Sequence, residues 1–323
     1  MSSLVLDPAD VTRFTERFNT VVDNVEQVIR GKADVIELGL ICLLAEGHLL
    51  LEDVPGVGKT TLAKAIARSC EARWHRIQFT PDLLPSDVTG VTIFNRAANV
   101  FEFRPGGIFA NIVLGDEINR ASPKTQAALL EAMEERQVTV DAHSYPLAAP
   151  FMVIATQNPV EHEGTYPLPE SQLDRFLMRV SMGYPTREAE LGILEHQFDV
   201  SVDDLSPVLS TDDIAEMVAA THAIHVAPSL RGYIVDVLEA TRRHPSIVLG
   251  VSPRGGLGLL RAARARAAAI GRPYVVPDDI KALAGPVIEH RLVLAGDAAL
   301  SGATQSDVLA DILASVPVPT RAS

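Results

Sequence analysis

The sequence predicts an α/β fold, in which a parallel sheet carries helices on both faces, followed by a smaller all-α region. Four short apolar runs end in small or polar residues, as is typical of strands buried on both faces; they cover residues 49–51, 76–80, 112–114 and 151–156. Between these runs, apolar residues recur at helical spacing at 62–67 and 129–133. Beyond Pro185 the strand-like runs largely vanish, and helix-start signals follow at 211–213, 252–253 and 277–279.

Two segments of the first half break this alternation and are predicted to be β-hairpins inserted into the α/β core. The first, near 88–110, has strand-like arms on either side of a turn at 95–99. The second, near 137–150, has its predicted turn close to His143 and Ser144. We therefore expect an α/β core over 1–184 that contains both hairpins, a helical domain over 185–316 and a flexible tail over 317–323.

The composition excludes several classes of protein. With 47% apolar and 21% charged residues, the chain has enough apolar material for packed cores and does not read as disordered. Its 28 Lys and Arg against 41 Asp and Glu give a net charge of −13, so we expect neither nucleic acid nor an anionic membrane as the partner. The two cysteines lack CxxC spacing, which excludes a disulfide scaffold and suits the cytoplasm. The most apolar stretch, 35–51, is interrupted by charged residues, so no membrane insertion is expected.

A candidate phosphate-binding loop lies at residues 49–61, which read LLLEDVPGVGKTT: an apolar run, a loop with Gly and Pro, then a helix. The general pattern has Gly five residues before its Gly-Lys pair, and Asp53 stands there instead. Gly56, Gly58, Lys59 and Thr60 all fit. Glycines let the backbone approach a phosphate, the lysine reaches the terminal phosphates and the threonine hydroxyl can bind Mg²⁺. The alternative is an ordinary strand-to-helix turn with a solvated lysine.

Two further strands end in polar residues that could complete such a site. The run 111–115 delivers Asp116 and Glu117, and the run 153–157 is followed by Asn158. Ligands of open α/β sheets bind at the edge where the strands end. Asp116 would hold Mg²⁺, directly or through water, and Glu117 would orient and polarise the attacking water. The alternatives are an acidic pair that caps the next helix and an asparagine that forms a turn.

Together these residues resemble the AAA+ ATPases, and more narrowly the MoxR family, over nearly the whole chain. The resemblance rests on the segments EDVPGVGKT, GDEINRASPKTQAALLEAMEE, ATQNPVEHEGTYPLPESQLDRF and SPRGGLGLLRAARA. It implies a P-loop AAA+ core with inserted hairpins and a helical lid, which hydrolyses ATP with Mg²⁺. An acidic residue at the position of Asp53 is common in this family, whereas Gly115 before the carboxylates is less usual.

The resemblance also implies the roles of individual residues. ATP is expected to contact Ile29, Gly31, Pro55, Gly56, Val57, Gly58, Lys59, Thr60, Thr61 and Asp116, with Thr60 and Asp116 as the ligands of Mg²⁺. The expected catalytic residues are Glu117, the first-sensor Asn158, the second-sensor Arg254 and Arg175, an arginine finger for a neighbouring subunit. For Arg175 the alternative is a salt bridge with Asp174 or Glu170. The sequence leaves open whether Arg254 serves its own nucleotide or the neighbour's.

The family works as hexameric rings, and many members act with partners that carry a von Willebrand A domain. The resemblance therefore implies a homo-oligomeric remodeller or chaperone with a protein client. The alternatives are the motor subunit of a magnesium-chelatase-like complex, a nucleic-acid motor and a nucleotide-gated scaffold. A motor that binds DNA through its hairpins needs cations there to neutralise the phosphates. Residues 138–149 contain no Lys or Arg, and residues 88–110 contain only Arg96 and Arg104 against Glu102, so the nucleic-acid motor is the less favoured alternative.

Residues 231–275 form a basic stretch with eight arginines against Asp236 and Glu239. One interpretation is a docking face for an acidic partner or for the acidic face of a neighbouring subunit. The other is a set of solvated helix arginines.

Overall fold

The structure, a computed structural model, describes residues 7–158, 164–194 and 200–319. Up to the fifth strand the elements are α1 (Pro8–Glu26), α2 (Ala33–Leu44), β1 (Leu49–Glu52), α3 (Lys59–Ser69), β2 (Trp74–Gln78), α4 (Pro85–Thr89), β3 (Gly90–Asn95), β4 (Val100–Pro105) and β5 (Ile112–Asp116). A 3₁₀ turn (Ile118–Arg120) then leads to α5 (Pro123–Glu135), β6 (Gln137–Val140), β7 (His143–Pro146), β8 (Met152–Gln157), α6 (Glu170–Leu173) and β9 (Met178–Val180).

The second part of the chain is mainly helical. It comprises α7 (Arg187–Leu194), α8 (Thr211–Ala223), α9 (Pro228–Arg243), β10 (Ile247–Leu249), α10 (Pro253–Ala269), α11 (Pro277–Ile288), a 3₁₀ turn (Glu289–Arg291), β11 (Val293–Leu294), α12 (Gly296–Leu300) and α13 (Gln305–Ser315). The predicted tail is described only to residue 319, and residues 159–163 of the third resemblance segment lie outside the described residues.

The central sheet confirms the predicted α/β fold class. Its five strands pair in parallel in the order β2-β5-β8-β1-β9. Leu49, Leu50 and Leu51 of β1 are fully buried because strands lie on both sides and helices cover both faces. Two details differ from the sequence prediction. The second strand begins at Trp74 rather than Arg76, and the edge strand β9 had no counterpart among the predicted runs.

Both inserted hairpins are present, as β3–β4 and β6–β7. In the first, Asn95 pairs with Val100, so the turn falls where the sequence predicts it. In the second, Val140 pairs with His143, which puts the turn at Asp141 and Ala142 instead of at His143 and Ser144. These two residues have φ of 49° and 63°, the left-handed backbone that a two-residue hairpin turn requires. An alanine in that conformation gives no turn signal in the sequence.

The helical part packs against the N-terminal helices and the sheet through one continuous apolar core. Helix α2 contains most of the apolar stretch from Val35, and it is buried between β9, α8 and α10. Helix α10 begins as the sequence predicts: Ser252 is the N-cap, its hydroxyl accepts from the Gly255 amide at 3.3 Å, and Pro253 follows at the first helical position. Within the described ranges, no helix is both long and apolar enough to cross a membrane.

Candidate active site

The candidate phosphate loop joins β1 to α3 at the carboxyl edge of the sheet, the edge where its strands end. Gly56 and Gly58 have φ of 84° and 95°, a backbone that glycine adopts without strain. Gly58 precedes α3 and supplies no side-chain cap, so the first amides of the helix face the loop. The Lys59 ammonium donates to the Asp53 carbonyl at 2.6 Å. Burial lowers the pKa of Lys59, against the opposing effect of the nearby Asp53, Asp116 and Glu117 carboxylates.

Asp53, the departure from the general phosphate-loop pattern, has a defined place in the structure. Its carboxylate accepts from the Gly183 amide at 2.6 Å and from the Ser181 hydroxyl at 2.8 Å, just beyond β9. Burial raises the pKa of Asp53, but these hydrogen bonds and one from the Val54 amide outweigh it and hold the pKa below its ordinary value. The carboxylate therefore faces the connection to the lid.

Beside the loop lies a cavity of about 210 Å³ that brings several predicted site residues together. It is lined by Ile29, Gly56, Val57, Gly58 and Thr61, along with Arg30, Lys32, Met182 and others. Gly31, with φ of 69°, lies between two lining residues. The Lys32 ammonium donates to the carbonyls of Met182 and Tyr184, so the cavity is closed on that side by the chain that leaves β9.

At the end of β5, the Asp116 carboxylate is buried and held from two sides. Oδ1 accepts from the Thr156 hydroxyl at 2.6 Å, and Oδ2 pairs with the Arg76 guanidinium at 2.6 Å. Thr156 also accepts from the Glu117 amide at 2.8 Å. One buried hydroxyl on β8 thus fixes both residues of the acidic pair.

Glu117 lies directly after Asp116 in a left-handed backbone conformation, with φ of 56° and ψ of 52°. For a residue other than glycine this conformation costs energy, and such strain is concentrated at functional sites. It turns the side chain away from the strand direction. The carboxylate oxygen Oε2 accepts from Gln78 of β2 and from Arg120, both at 3.0 Å. Asn158 follows the neighbouring strand β8 and is buried at the same edge.

The two predicted arginines do not join this group. Arg175 lies just before β9, and the Leu177 amide donates to the carbonyl of His48, the residue before β1. Because β1 and β9 are parallel, Arg175 lies at the amino edge of the sheet, where the strands begin. The phosphate loop is at the other edge, separated by the four residues of β1, about 13 Å of strand.

Arg254, in the first turn of α10, lies beside Arg175. Both guanidiniums bind the carboxylate of Glu134, near the end of α5: Arg175 Nη1 is 2.9 Å from Oε2, and Arg254 Nη2 is 2.6 Å from Oε1. The alternative prediction, a salt bridge of Arg175 with Asp174 or Glu170, was wrong about the partner, which is Glu134. Asp174 pairs with Arg291 at 2.7 Å instead, because its carboxylate points into the helical part of the chain.

Arg291 fixes the backbone on both sides of Arg175. Its buried guanidinium donates to the carbonyls of Asp174, Phe176 and Leu177, at 3.2, 2.6 and 3.3 Å, as well as to the Asp174 carboxylate. The other carboxylate oxygen of Asp174 accepts from the hydroxyl of Ser252 at 2.9 Å. Since Ser252 caps α10, the chain segment of Arg175 and the helix of Arg254 are fastened to each other.

A second cavity, of about 140 Å³, opens at this amino edge. Its charged lining consists of Arg136, Arg175, Arg254, Arg261 and Arg291 with Glu46, Glu134 and Asp174. Five cations against three carboxylates make it suited to an anion. Within the basic stretch at 231–275, Arg254 and Arg261 line this cavity. Arg266 and Arg272 instead pair with the buried Asp279 at 3.5 and 2.5 Å.

Sequence reasoning missed the residues that hold the predicted ones in place: Arg76, Gln78, Arg120, Glu134, Thr156 and Arg291. Thr156 could have been found from the pairing of β5 with β8. Gly115 lies opposite Ala155 in these parallel strands, so the next residues, Asp116 and Thr156, also lie side by side. Glu134 and Arg291 meet their partners across 41 or more positions in sequence, and no local pattern indicates that.

Comparison with known proteins gives consistent similarities. Residues 48–178 match the family described as ATPase family associated with various cellular activities (AAA), and residues 239–312 match the AAA lid domain. The chain is 52% identical to the uncharacterized protein YeaC of Bacillus subtilis, over 94% of this chain and 95% of that one. It is 41% identical to chaperone MoxR1 of Mycobacterium tuberculosis, over 91% and 80%. The crystal structure of a candidate ATPase from Cytophaga hutchinsonii superposes with a TM-score of 0.90 at 37% identity, covering 97% and 98%.

Proposed function

Because this chain belongs to the MoxR family of AAA+ ATPases, we propose that it hydrolyses ATP between two copies of itself and uses the energy to act on a protein client. The observation that carries the proposal is the division of the predicted catalytic residues. Lys59, Asp116 and Glu117 lie at the carboxyl edge of the sheet, and Arg175 and Arg254 lie at the amino edge. A second copy, with its amino edge on the first copy's phosphate loop, completes the site.

The residues of the loop fit the binding of ATP. The amides at the start of α3 and Lys59 supply positive charge for the phosphates, and the cavity beside Ile29 and Val57 accepts the base. Thr60 and Asp116 offer the oxygen ligands that Mg²⁺ prefers. To bind Mg²⁺ through Oδ2, Asp116 has either to keep its ion pair with Arg76 at the same oxygen or to give up that pair. Bound Mg²⁺ would neutralise charge on the phosphates.

Glu117 orients and polarises the water that attacks the terminal phosphate. Its carboxylate accepts a hydrogen bond from the attacking water and so directs the oxygen lone pair at the phosphorus. Gln78 and Arg120 hold Oε2, which fixes where the carboxylate can place that water. Asn158, at the end of the adjoining strand β8, would hold the water or the terminal phosphate. Arg175 and Arg254 of the neighbouring copy then stabilise charge that develops on the phosphate in the transition state.

The client is proposed to be a protein. Hairpin β3–β4 exposes Val91, Phe94, Val100 and Phe101, the last with three quarters of its surface accessible. Its Arg104 is 3.7 Å from the Glu102 carboxylate, so this cation is partly neutralised within the hairpin. An apolar surface suits a protein better than a phosphate backbone. By its family resemblance the ring is hexameric and the client carries a von Willebrand A domain. A magnesium-chelatase-like motor subunit is the second candidate, and a nucleic-acid motor is the less favoured one.

Turnover at different protein concentrations tests the shared site. ATPase activity per subunit should rise with concentration as copies associate. Arg175→Ala should abolish that rise with little loss of ATP affinity, since such arginines contribute about 10³–10⁵ in rate. Adding Lys59→Ala should restore activity, because its intact arginines serve the intact pocket of Arg175→Ala. Arg243→Ala, at an exposed pair with Glu239, is the matched control. Turnover that is independent of concentration would contradict the proposal.

A further inference from the structure

We infer that Glu134 is the positioning residue that presents Arg175 and Arg254 as a pair to the phosphates of the neighbouring copy. The inference rests on the proposed shared site and adds to it a carboxylate that touches neither ATP nor water. One oxygen of Glu134 binds each guanidinium, at 2.9 and 2.6 Å. The two arginines come from different parts of the chain, the segment before β9 and the start of α10, and this carboxylate is where they meet.

The hydrogen-bond pattern leaves both arginines able to bind an anion. Arg175 Nη1 donates to the Leu130 carbonyl at 2.7 Å and forms an ion pair with Glu134, and Arg254 Nη2 donates to Glu134. In the described ranges, the remaining nitrogens of either guanidinium donate no hydrogen bond. A guanidinium has five N–H donors, so each arginine retains donors for a phosphate oxygen while one terminal nitrogen is fixed.

The backbone that carries Glu134 is itself held firmly. The buried His48 ring binds the carbonyl of Met133 at 3.0 Å. The Arg136 guanidinium, directly after α5, donates to the Glu46 carbonyl at 2.7 Å and to its carboxylate at 3.2 Å. The Glu134 side chain is only one third exposed. A carboxylate on such a rigid support fixes the spacing of the two cations, which without it would repel each other.

Charge also favours this role. Two guanidiniums and one carboxylate leave a net positive charge, and Arg261 adds a further cation to the same cavity. Glu134 therefore orders the arginines without cancelling their attraction for a triphosphate. A displacement of about 1 Å of a positioned group can cost about 10² in rate, which sets the scale of the effect when this carboxylate is removed.

The test compares Glu134→Ala, Glu134→Gln and the control Glu135→Gln at concentrations where copies associate. Glu135 is the next residue on α5, and among the described residues it has no ion pair. Glu134→Ala should lower kcat about 10- to 100-fold and leave the affinity for ATP unchanged. Glu134→Gln should fall between it and the parent, because its amide oxygen can accept from one arginine only. Glu135→Gln should stay within about twofold of the parent.

Two further measurements separate positioning from a loss of folding. Glu134→Ala mixed with Lys59→Ala should regain activity, since the fault lies on the face offered to the neighbour and the variant's own pocket is intact. In the background of Arg254→Ala, removal of Glu134 should cost less than it does in the parent. If Glu134→Ala has an unchanged or raised kcat while Arg175→Ala loses most of its activity, the role inferred for Glu134 is wrong and the shared site still holds. An unaffected Arg175→Ala overturns the shared site itself.

Discussion

Replacement of Arg291 by Met should be among the most destabilising single changes in the chain. The Arg291 side chain is 4% exposed, and its guanidinium donates to the Asp174 carboxylate and to carbonyls on both sides of Arg175. Met fills a similar volume but donates nothing, so Asp174 keeps an uncompensated charge and the carbonyls of Phe176 and Leu177 lose their donor. Breaking a buried ion pair by removing one partner costs about 3–5 kcal/mol. That is a large part of the ~5–15 kcal/mol by which a domain is stable.

The assay is urea unfolding, followed by circular dichroism for the helices and by fluorescence of the only tryptophan, Trp74, for the sheet. With a slope near 3 kcal/mol per molar urea, the midpoint of Arg291→Met should fall by about 1–1.7 M. Arg291→Lys keeps the charge but lacks the planar fork, so its loss should be intermediate. The control is Arg243→Met, which removes an exposed pair with Glu239 and should cost at most about 0.5 kcal/mol. A loss below about 1 kcal/mol in Arg291→Met would refute the reasoning.

Two other outcomes are expected. Glu117→Gln should keep the affinity for ATP and lose about 10²–10⁴ in turnover, because a neutral amide holds the attacking water more weakly than a carboxylate does and cannot polarise it. Nucleotide titration measures the affinity and phosphate release measures the turnover, and near-parental turnover would contradict the role. Stability should fall as the pH drops below 6.5, because burial lowers the pKa of His48 to about 4 and only the unfolded chain then gains a proton. From pH 7.5 to 5.0 the contribution of His48 amounts to about 2 kcal/mol. His48→Gln, whose amide can bond the Met133 carbonyl and the Val153 amide, should remove that contribution and leave the one from buried His290, whose pKa burial also lowers. An equally steep loss in His48→Gln would show that other groups cause it.

The sequence predicted well what depends on local patterns. Buried strands, the loop before Lys59 and the start of α10 at Ser252 each have a signature within a few residues. The positions that it missed are set by contacts between distant segments. Ala142 has a positive φ because the strands of the second hairpin pair in one register, and β9 is a strand because β1 offers it an edge. Glu134 looks like any acidic residue on a helix until the fold brings Arg175 and Arg254 to it.

Asp53 gives the phosphate loop a mechanical connection that a glycine at the same position would lack. Its carboxylate accepts hydrogen bonds from Ser181 and Gly183. From the other side, the Lys32 ammonium donates to the carbonyls of Met182 and Tyr184. The two hydrogen bonds of Asp53 therefore link the phosphate loop to residues 181–183, where the chain leaves β9 towards the lid. We expect a rearrangement of the loop around a phosphate to reach the lid through these two hydrogen bonds, and a movement of the lid to reach the loop by the same route. The connection between the lid and the phosphate loop therefore lies within one subunit, whereas the contact that we propose for Arg254 crosses to the next subunit.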